Sequence, residues 1–432
     1  MRYAVPAIVA MTAASLYNMM DSIFIGHGVG ALGIAGLAVT FPFINLAAAF
    51  GSLVGVGAST LVSVKMGQKD LKSAEAVLGN VLLLNTVIGF LFMTVCLIFL
   101  DPILYFFGAS ADTLPYARDY MKVILYGNLI THIYMGLNEV MRASGYPQRA
   151  MMATLFAVLI NGVLNALFIF VLDMGIKGAA IATLISQLFN LVFIGIGFVL
   201  CIRKDGDQPI LSLHFKKIII RDYLIMILPI LISEFLWSLG QNVESAVYGH
   251  LGTSNLAAYT LTGPIQGLMI GALSGLSAAA GVMVGKRLGR KEYDEAYTES
   301  KKIMCAGLVG AAAVSALLIL LSGVYTGFYR VDDNVKELGK ILLIVFALYA
   351  PVKVENMILG GGIIRSGGNT KIIMIIDIIG TWCIGIPLCL LAAYVFKWGI
   401  VGVYTLLTTE ELFRLAVSLI IFRRRKWIIS LC

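Results

Sequence analysis

The chain has 432 residues, of which 59% are hydrophobic and 13% charged, with a formal net charge of +8 and a mean hydropathy of +0.92. Soluble domains carry about 25% charged residues, so this composition excludes an ordinary soluble enzyme or binding domain. The six cysteines include no Cys-x-x-Cys pair, which favours buried thiols over a metal or redox site.

Apolar stretches long enough to cross a membrane recur along the whole chain. A helix needs about 20 apolar residues to cross a bilayer core of about 30 Å. The stretches are too long and too evenly apolar for barrel strands. The sequence therefore predicts an all-α, polytopic membrane protein with twelve transmembrane helices. The predicted spans are 3–27, 34–64, 76–100, 114–141, 150–172, 178–202, 223–249, 256–285, 301–327, 336–364, 371–396 and 399–422.

The first span contains one carboxylate in an otherwise uncharged stretch, within "YNMMDSIFIGHGVG" at residues 17–30. Between Arg2 and Lys65, Asp21 is the single Asp, Glu, Lys or Arg residue of the sequence. An ionisable group at the bilayer centre costs about 2.5–3.5 kcal/mol on insertion scales, so such a group faces a cavity or a partner. Asp21 is therefore a candidate functional residue.

The fifth and sixth spans carry polar side chains that could accompany Asp21. Asn161 and Asn165, in "LINGVLNALFIF", are four residues apart and share one helix face, and Thr183 follows on the sixth span. Polar side chains in membrane helices often serve as interhelical contacts. With Asp21, these oxygen atoms could instead hold a small cation such as Na⁺, or surround a protonatable acid.

The second half of the chain repeats the first. "VPAIVAMTAASLYNMMDSIFIGH" (5–27) aligns with "LPILISEFLWSLGQNVESAVYGH" (228–250), so that Asp21 aligns with Glu244. Six spans are an even number, so both copies have the same orientation and should be related by a pseudo-two-fold axis along the membrane normal. We expect an N-terminal six-helix lobe at 1–202, a cytoplasmic linker at 203–221, and at 222–432 a C-terminal six-helix lobe with a short basic cytoplasmic tail.

The remaining intramembrane acids fall into two groups. Glu234, Glu244 and Asp377 have no Lys or Arg within one helical turn, so they are possible second-lobe residues for a cation or a substrate. The other acids have a cation nearby in sequence and are expected to form structural ion pairs. The expected pairs are Glu139 with Arg142, Glu355 with Lys353, and Glu410 and Glu411 with Arg414. No Ser-His-Asp or HExxH arrangement is present, so we expect no enzymatic activity.

The positive charge follows the predicted membrane topology. Lys and Arg residues flank the termini and the even-numbered connections far more often than the odd-numbered ones. By the positive-inside rule, both termini are cytoplasmic in a multi-pass protein of the cell membrane. This distribution argues against nucleic acid as a partner and leaves the lipid bilayer as the surrounding medium.

Two tandem six-helix halves with "NMMDSIFIGHGVG", "NVESAVYGHLG", "RSGGNTK" and "GIPL" resemble the multidrug and toxic compound extrusion (MATE) family over essentially the whole chain. The resemblance implies a secondary active transporter that exports organic cations or drugs by antiport with Na⁺ or H⁺, through alternating access. No cofactor besides the coupling ion is implied. We expect small, cationic amphipathic substrates and a monomeric protein.

The resemblance also assigns roles to residues of the first lobe. The family's cation site uses an acid on the first span, an Asn and an Asp one turn apart on the fifth, and a Thr on the sixth. Asp21, Asn161 and Thr183 match this pattern, whereas Asn165 stands where many relatives carry Asp. Some members use an acid on the seventh span, where Glu244 lies.

The alternative function is a lipid or lipid-linked oligosaccharide flippase of the same superfamily. Such a protein would be expected to have a strongly cationic cavity for phosphates. Methionine and tyrosine side chains could line an adaptable cavity for drugs instead. The candidates are Met20, Tyr134, Met135, Met269 and Met357, and ordinary packing between helices is an equal explanation for them.

Overall fold

The computed structural model describes residues 3–29, 31–107, 109–204, 217–327, 332–425 and 427–428. All regular secondary structure in these ranges is helical. The chain divides into two compact units, Met1–Ile227 and Leu228–Cys432, and each is considered by itself.

The first unit contains six membrane-crossing helical segments within its described residues. The fourth segment is interrupted at Gly127, and the fifth ends in a π-helical turn at Leu167–Val171. In chain order the helices are α1 (Ala4–Gly28), α2 (Ala31–Gly67), α3 (Leu71–Ile98), α4 (Leu100–Phe106), α5 (Leu114–Tyr126), α6 (Asn128–Ala143), α7 (Pro147–Ala166) and α8 (Gly175–Lys204).

The second unit repeats this arrangement with more π-helix. Its helices are α9 (Lys217–His250, beginning in the first unit), α10 (Thr253–Gly289), α11 (Tyr293–Gly327), α12 (Asp333–Asn356), α13 (Thr370–Ile378), α14 (Ile386–Leu390), α15 (Ile400–Thr408) and α16 (Glu410–Arg423). π-helical segments at Met357–Ile364, Ile379–Gly385 and Leu391–Val395 continue α12, α13 and α14. Such π-bulges occur frequently at functional sites.

Each predicted span coincides with one of these helical segments, so the prediction of an all-α protein with twelve membrane helices is confirmed. Within the described residues, seven helices meet length and composition criteria for crossing a membrane by themselves. Several helices extend past the predicted span ends, because polar residues at a membrane surface can continue a helix. For example, α2 continues to Gly67 and α11 begins at Tyr293.

The predicted linker at 203–221 lies mostly outside the described residues. Its two flanks are helical, since α8 continues to Lys204 and α9 begins at Lys217. The division between the compact units falls inside α9, after Ile227, rather than in the linker.

An apolar cluster holds the helices of the first unit around the predicted site. Ile25 on α1, Leu37 on α2, Met121 on α5 and Ala180 on α8 are buried members of it. Ile25 lies one helical turn after Asp21, so the carboxylate is next to this apolar cluster.

Candidate functional site

The carboxylate of Asp21 is buried and held by two other helices. Its side chain is on α1 and only 5% exposed. Asn165 Nδ2 on α7 donates to Asp21 Oδ1 at 2.6 Å, and Thr183 Oγ1 on α8 donates to Oδ2 at 2.9 Å. Both donors are neutral, and no Lys or Arg of the described residues forms an ion pair with Asp21. A buried charge without a fixed counter-charge requires an exchangeable one.

Two asparagines complete a ring of side chains behind the carboxylate. Asn165 Nδ2 also donates to Asn161 Oδ1 at 3.0 Å, and Asn161 Nδ2 donates to Thr183 Oγ1 at 3.4 Å. Both asparagines are fully buried. The structure thus brings together all four predicted first-lobe residues.

The orientation of Asn165 differs from the sequence expectation. The sequence analysis grouped the amide oxygen atoms with Asp21 as possible cation ligands, but the structure directs the Nδ2 group of Asn165 at the carboxylate. The reason is electrostatic, because a carboxylate oxygen attracts an N–H group and repels a carbonyl oxygen. Asn165 Oδ1 is buried without a hydrogen-bond partner. Rotation of this amide would turn an unused oxygen ligand toward Asp21, which suits a bound cation.

Tyr17 and Ser186 support the ring and were missed by the sequence analysis. The Tyr17 hydroxyl lies 2.9 Å from Ser186 Oγ and donates to the Thr183 carbonyl at 3.3 Å. Ser186 Oγ donates to the same carbonyl at 2.8 Å. Tyr17 precedes Asp21 by one helical turn and Ser186 follows Thr183 by three residues, a spacing that could have revealed both.

A cavity of about 380 Å³ lies inside the first unit and opens onto this ring. Asp21 and Thr183 line it, together with Tyr134 and Met135 from the predicted set of adaptable side chains. Met269 and Met357 belong to the second unit. The cavity therefore combines one buried acid with aromatic and thioether surface, a combination that suits an amphipathic cation.

The predicted ion pair between Glu139 and Arg142 is present. The sequence did not reveal that this pair lies in the wall of the cavity. Arg142 Nη2 contacts Glu139 Oε1, and both residues line the same cavity as Asp21. Arg142 Nε and Nη1 are buried without a protein partner. The cavity thus carries charge at Glu139 and Arg142 as well as at Asp21.

The predicted second-lobe residues do not form a matching ring. Glu244 Oε2 accepts from Gln241 Nε2 at 3.2 Å, one turn earlier on α9. Asp377 Oδ2 accepts from Ser233 Oγ at 2.5 Å, and its Oδ1 lies 3.6 Å from Arg414 Nη1. Asp377 has no cation within one helical turn, as the sequence shows, and its partner comes from another helix.

The third second-lobe candidate, Glu234, follows Ser233 on α9. Arg365 and Asp377 are charged residues within electrostatic range of its carboxylate. No hydrogen bond joins Glu234, Glu244 and Asp377 to one another within the described ranges.

Ion pairs in the second unit also differ from the expected ones. Glu410 pairs with Arg414 at 3.2 Å as predicted. Glu411 instead lies 3.8 Å from Lys353 Nζ and accepts from Asn356 Nδ2 at 2.7 Å. The expected pairing of Glu355 with Lys353 is wrong, and Glu355 Oε1 is buried without a partner. Residues two apart on a helix do not face each other, which explains the difference.

Two repeated six-helix units, with a buried polar ring in the first of them, are an arrangement typical of secondary transporters of the membrane. A family model described as MatE matches residues 6–167 and 229–391, which is more than half of the chain. The chain belongs to the MatE family.

Curated relatives match over nearly the full length. The chain is 23% identical over 403 residues to the uncharacterized transporter YisQ of Bacillus subtilis (strain 168), covering 91% of this chain and 87% of that protein. It is 24% identical over 441 residues to the multidrug export protein MepA of Staphylococcus aureus (strain NCTC 8325 / PS 47), covering 98% and 93%.

Solved structures share the fold. An outward-facing multidrug resistance MATE family transporter of the MOP superfamily superposes with a TM-score of 0.90 at 22% identity, covering 98% of this chain and 94% of that one. A MOP superfamily transporter from Pyrococcus furiosus Vc1, whose binding pocket is described as having reverse polarity that suggests a different function, superposes with a TM-score of 0.91 at 23% identity over the same shares.

Proposed function

We propose that the protein is a secondary active transporter that exports organic cations or drugs by antiport with Na⁺ or H⁺. One observation carries the proposal: Asp21 is a buried carboxylate with neutral partners, and it lines a cavity with aromatic and methionine side chains. An acid in such a setting can be neutralised in turn by a small ion or by an organic cation. Competition between the two for one carboxylate is the basis of antiport.

The similarity to a multidrug export protein supports drugs as the substrate class. A buried carboxylate favours cations over anions, and tyrosine rings add cation–π attraction. Methionine side chains adapt to ligands of different shape. Small cationic amphipathic molecules fit these features.

The donor set at Asp21 is compatible with either coupling ion. Carboxylate, hydroxyl and amide oxygen atoms are ligands that small hard cations prefer. The unpartnered Asn165 Oδ1 supplies one such oxygen after rotation of the amide. A proton on the carboxylate would instead leave the present hydrogen bonds of Thr183 in place.

Transport by the purified protein in liposomes tests the proposal. A fluorescent organic cation is followed under an imposed Na⁺ gradient, an imposed pH gradient, or neither. We expect concentrative transport under one of the two gradients, and dissipating that gradient with an ionophore should abolish it. Movement of the dye that is indifferent to both gradients would contradict antiport.

The membrane orientation belongs to the same proposal. The excess of Lys and Arg at the termini and even-numbered connections supports cytoplasmic termini in the cell membrane. A monomer contains both lobes and needs no partner chain for the site at Asp21. Labelling of Cys432 by an impermeant thiol reagent in intact cells and in inverted vesicles tests the orientation, with reaction expected in the vesicles alone.

A second candidate function, a lipid or lipid-linked oligosaccharide flippase, is favoured by one observation. Arg142 lines the first-unit cavity with Nε and Nη1 unpartnered, and a guanidinium group binds phosphate well. Scrambling of a fluorescent phospholipid by the same liposomes, without transport of organic cations, would select this candidate.

A further inference from the structure

The sixth span of each unit allows a residue-by-residue comparison between the lobes. "GIKGAAIATLISQLFNL" (175–191) aligns without a gap with "GIVGVYTLLTTEELFRL" (399–415). Three polar positions of the first lobe become charged in the second lobe. Ser186, Gln187 and Asn190 align with Glu410, Glu411 and Arg414.

The same alignment shows that the ring around Asp21 is not repeated. Thr183 aligns with Leu407, and continuing the alignment backwards places Asn161 on Gly385 and Asn165 on Cys389. The second lobe therefore lacks the hydroxyl and both amides at these positions. Glu244, which aligns with Asp21, has Cys389 within electrostatic range, as the repeat requires.

Arg414 takes a central position among the acids of the second lobe. Its Nη2 lies 3.2 Å from Glu410 Oε1 and donates to Thr381 Oγ1 at 2.5 Å, while its Nη1 lies 3.6 Å from Asp377. Arg414 is only 9% exposed. It is also within electrostatic range of Glu244 and Glu411.

The backbone of the eleventh span makes room for this guanidinium group. A Cβ atom at Gly380 would collide with the Arg414 side chain, and one at Gly385 would collide with the Glu410 carboxylate. Neutral donors add hydrogen bonds to three acids, namely Ser233 to Asp377, Asn356 to Glu411 and Gln241 to Glu244. Glu411 also lies 3.8 Å from Lys353 Nζ, at the edge of the same cluster. The second lobe is thus built around a cation that is part of the chain.

We propose that the Arg414 guanidinium group is a permanent counter-ion of the second-lobe carboxylates. It balances their charge, as an exchangeable cation balances the charge of Asp21 in the first lobe. Exchange of the coupling ion is then confined to the first lobe. This inference rests on the proposed transport function and assigns Arg414 a positioning role for the second-lobe acids.

Chemical rescue tests the role of Arg414 directly. Arg414→Ala removes the cation and leaves a space, and the buried acids then outnumber their cations further. We expect transport to fall about tenfold or more, because a broken buried ion pair leaves uncompensated charge. Millimolar guanidinium chloride, against potassium chloride at equal ionic strength, should restore most of the loss. Arg118→Ala is the matched control, since it breaks a partly exposed pair with Asp101 and should not respond.

A second variant separates loss of charge from loss of structure. Glu410→Ser, Glu411→Gln and Arg414→Asn together install the first-lobe residues and remove two acids with the guanidinium. We expect this triple variant to be more thermally stable than Arg414→Asn alone and to be insensitive to guanidinium. If Arg414→Ala does not fold, the same comparison of melting temperatures in guanidinium is made between Arg414→Asn and the triple variant.

The ion dependence distinguishes this inference from a purely structural role. Wild-type transport should depend on one coupling ion per cycle, and Arg414→Ala should gain a second, saturable dependence on added cation. An Arg414→Ala protein with wild-type ion dependence and no response to guanidinium would overturn the inference. If the wild type transports nothing under either gradient, the proposed function fails instead, and stabilisation of Arg414→Ala by guanidinium still decides the role of Arg414.

Discussion

In the first unit the buried carboxylate of Asp21 meets an amide and a hydroxyl group, whereas in the second unit Asp377 and Glu410 meet the guanidinium group of Arg414. The first arrangement lies on α1, α7 and α8, and the second lies on α13 and α16, which are the counterparts of α7 and α8 in the repeat. Because the partners of Asp21 are neutral, the charge of its carboxylate is left to be balanced by an exchangeable ion. A tethered cation balances its acids in every state of the protein.

The difference bears directly on how a duplicated protein couples an ion to a substrate. A ligand shifts a conformational equilibrium only by its differential affinity for the two states. An exchangeable ion at Asp21 can supply such a difference, but a fixed guanidinium group cannot leave. Under the proposed antiport function, ion binding drives the cycle in the first unit, and the following predictions test this division.

The largest effect is expected from Asp21→Asn, which removes the exchangeable charge and keeps the shape of the side chain. Transport should fall about a hundredfold, to the level of empty liposomes, which corresponds to about 2.8 kcal/mol of lost coupling. Initial rates of dye transport under the driving gradient measure this. Asp101→Asn, at the partly exposed pair with Arg118, is the control for a carboxylate outside the site. Wild-type transport by Asp21→Asn would refute the assignment.

The first-lobe residues could be predicted because their signals are local or follow from the family resemblance. Asp21 is isolated in an apolar span, and Asn161 and Asn165 share a helix face by their spacing. The direction of the Asn165 amide could not be predicted, since it depends on whether a carboxylate or a cation lies opposite. Only the assembled site fixes that contact.

Asn165→Asp should have the next largest effect. The hydrogen bond from Asn165 Nδ2 to Asp21 Oδ1 would be replaced by two facing carboxyl groups, which need a shared proton or a cation between them. We expect about tenfold tighter binding of the coupling cation, or two coupled titration steps in place of one. The dependence of transport on Na⁺ and on pH, measured for wild type and variant, decides this. Identical dependence would mean that Asn165 does not take part in ion binding.

Some ion pairs of the second unit could not be predicted from the sequence. Asp377 and Arg414 lie on different helices, and the pairing of Lys353 with Glu411 is likewise long-range. Local spacing identifies partners within about one helical turn and nothing beyond it. The pair of Glu410 with Arg414 was predictable for this reason, because the two residues are four apart.

A smaller effect is expected from Tyr17→Phe, which removes the hydroxyl group that links α1 to α8. Ser186 Oγ keeps its bond to the Thr183 carbonyl, so no buried polar group of this pair is orphaned. The loss of one hydrogen bond, worth about 1 kcal/mol, should lower transport about fivefold, because the side chain of Asp21 is then held less firmly in position. The apparent affinity for the coupling ion should weaken while the maximal rate is retained. A fall in maximal rate with unchanged ion affinity would contradict this role.

The smallest effect is expected from Glu244→Gln, the second-unit counterpart of Asp21→Asn. Glu244 accepts a hydrogen bond from Gln241 and forms no ion pair among the described residues, and glutamine can keep a similar contact. If ion exchange is confined to the first unit, transport of most substrates should stay within about threefold of wild type, less than 1 kcal/mol. The Na⁺ and pH dependence of transport by Glu244→Gln should be unchanged.

Glu244→Gln and Asp21→Asn are measured side by side in liposomes of one preparation. The two variants control for each other, since the substitutions alter the same repeat position by the same chemistry. A changed ion dependence in Glu244→Gln would show that the second unit also binds the coupling ion, and that Arg414 does not replace it.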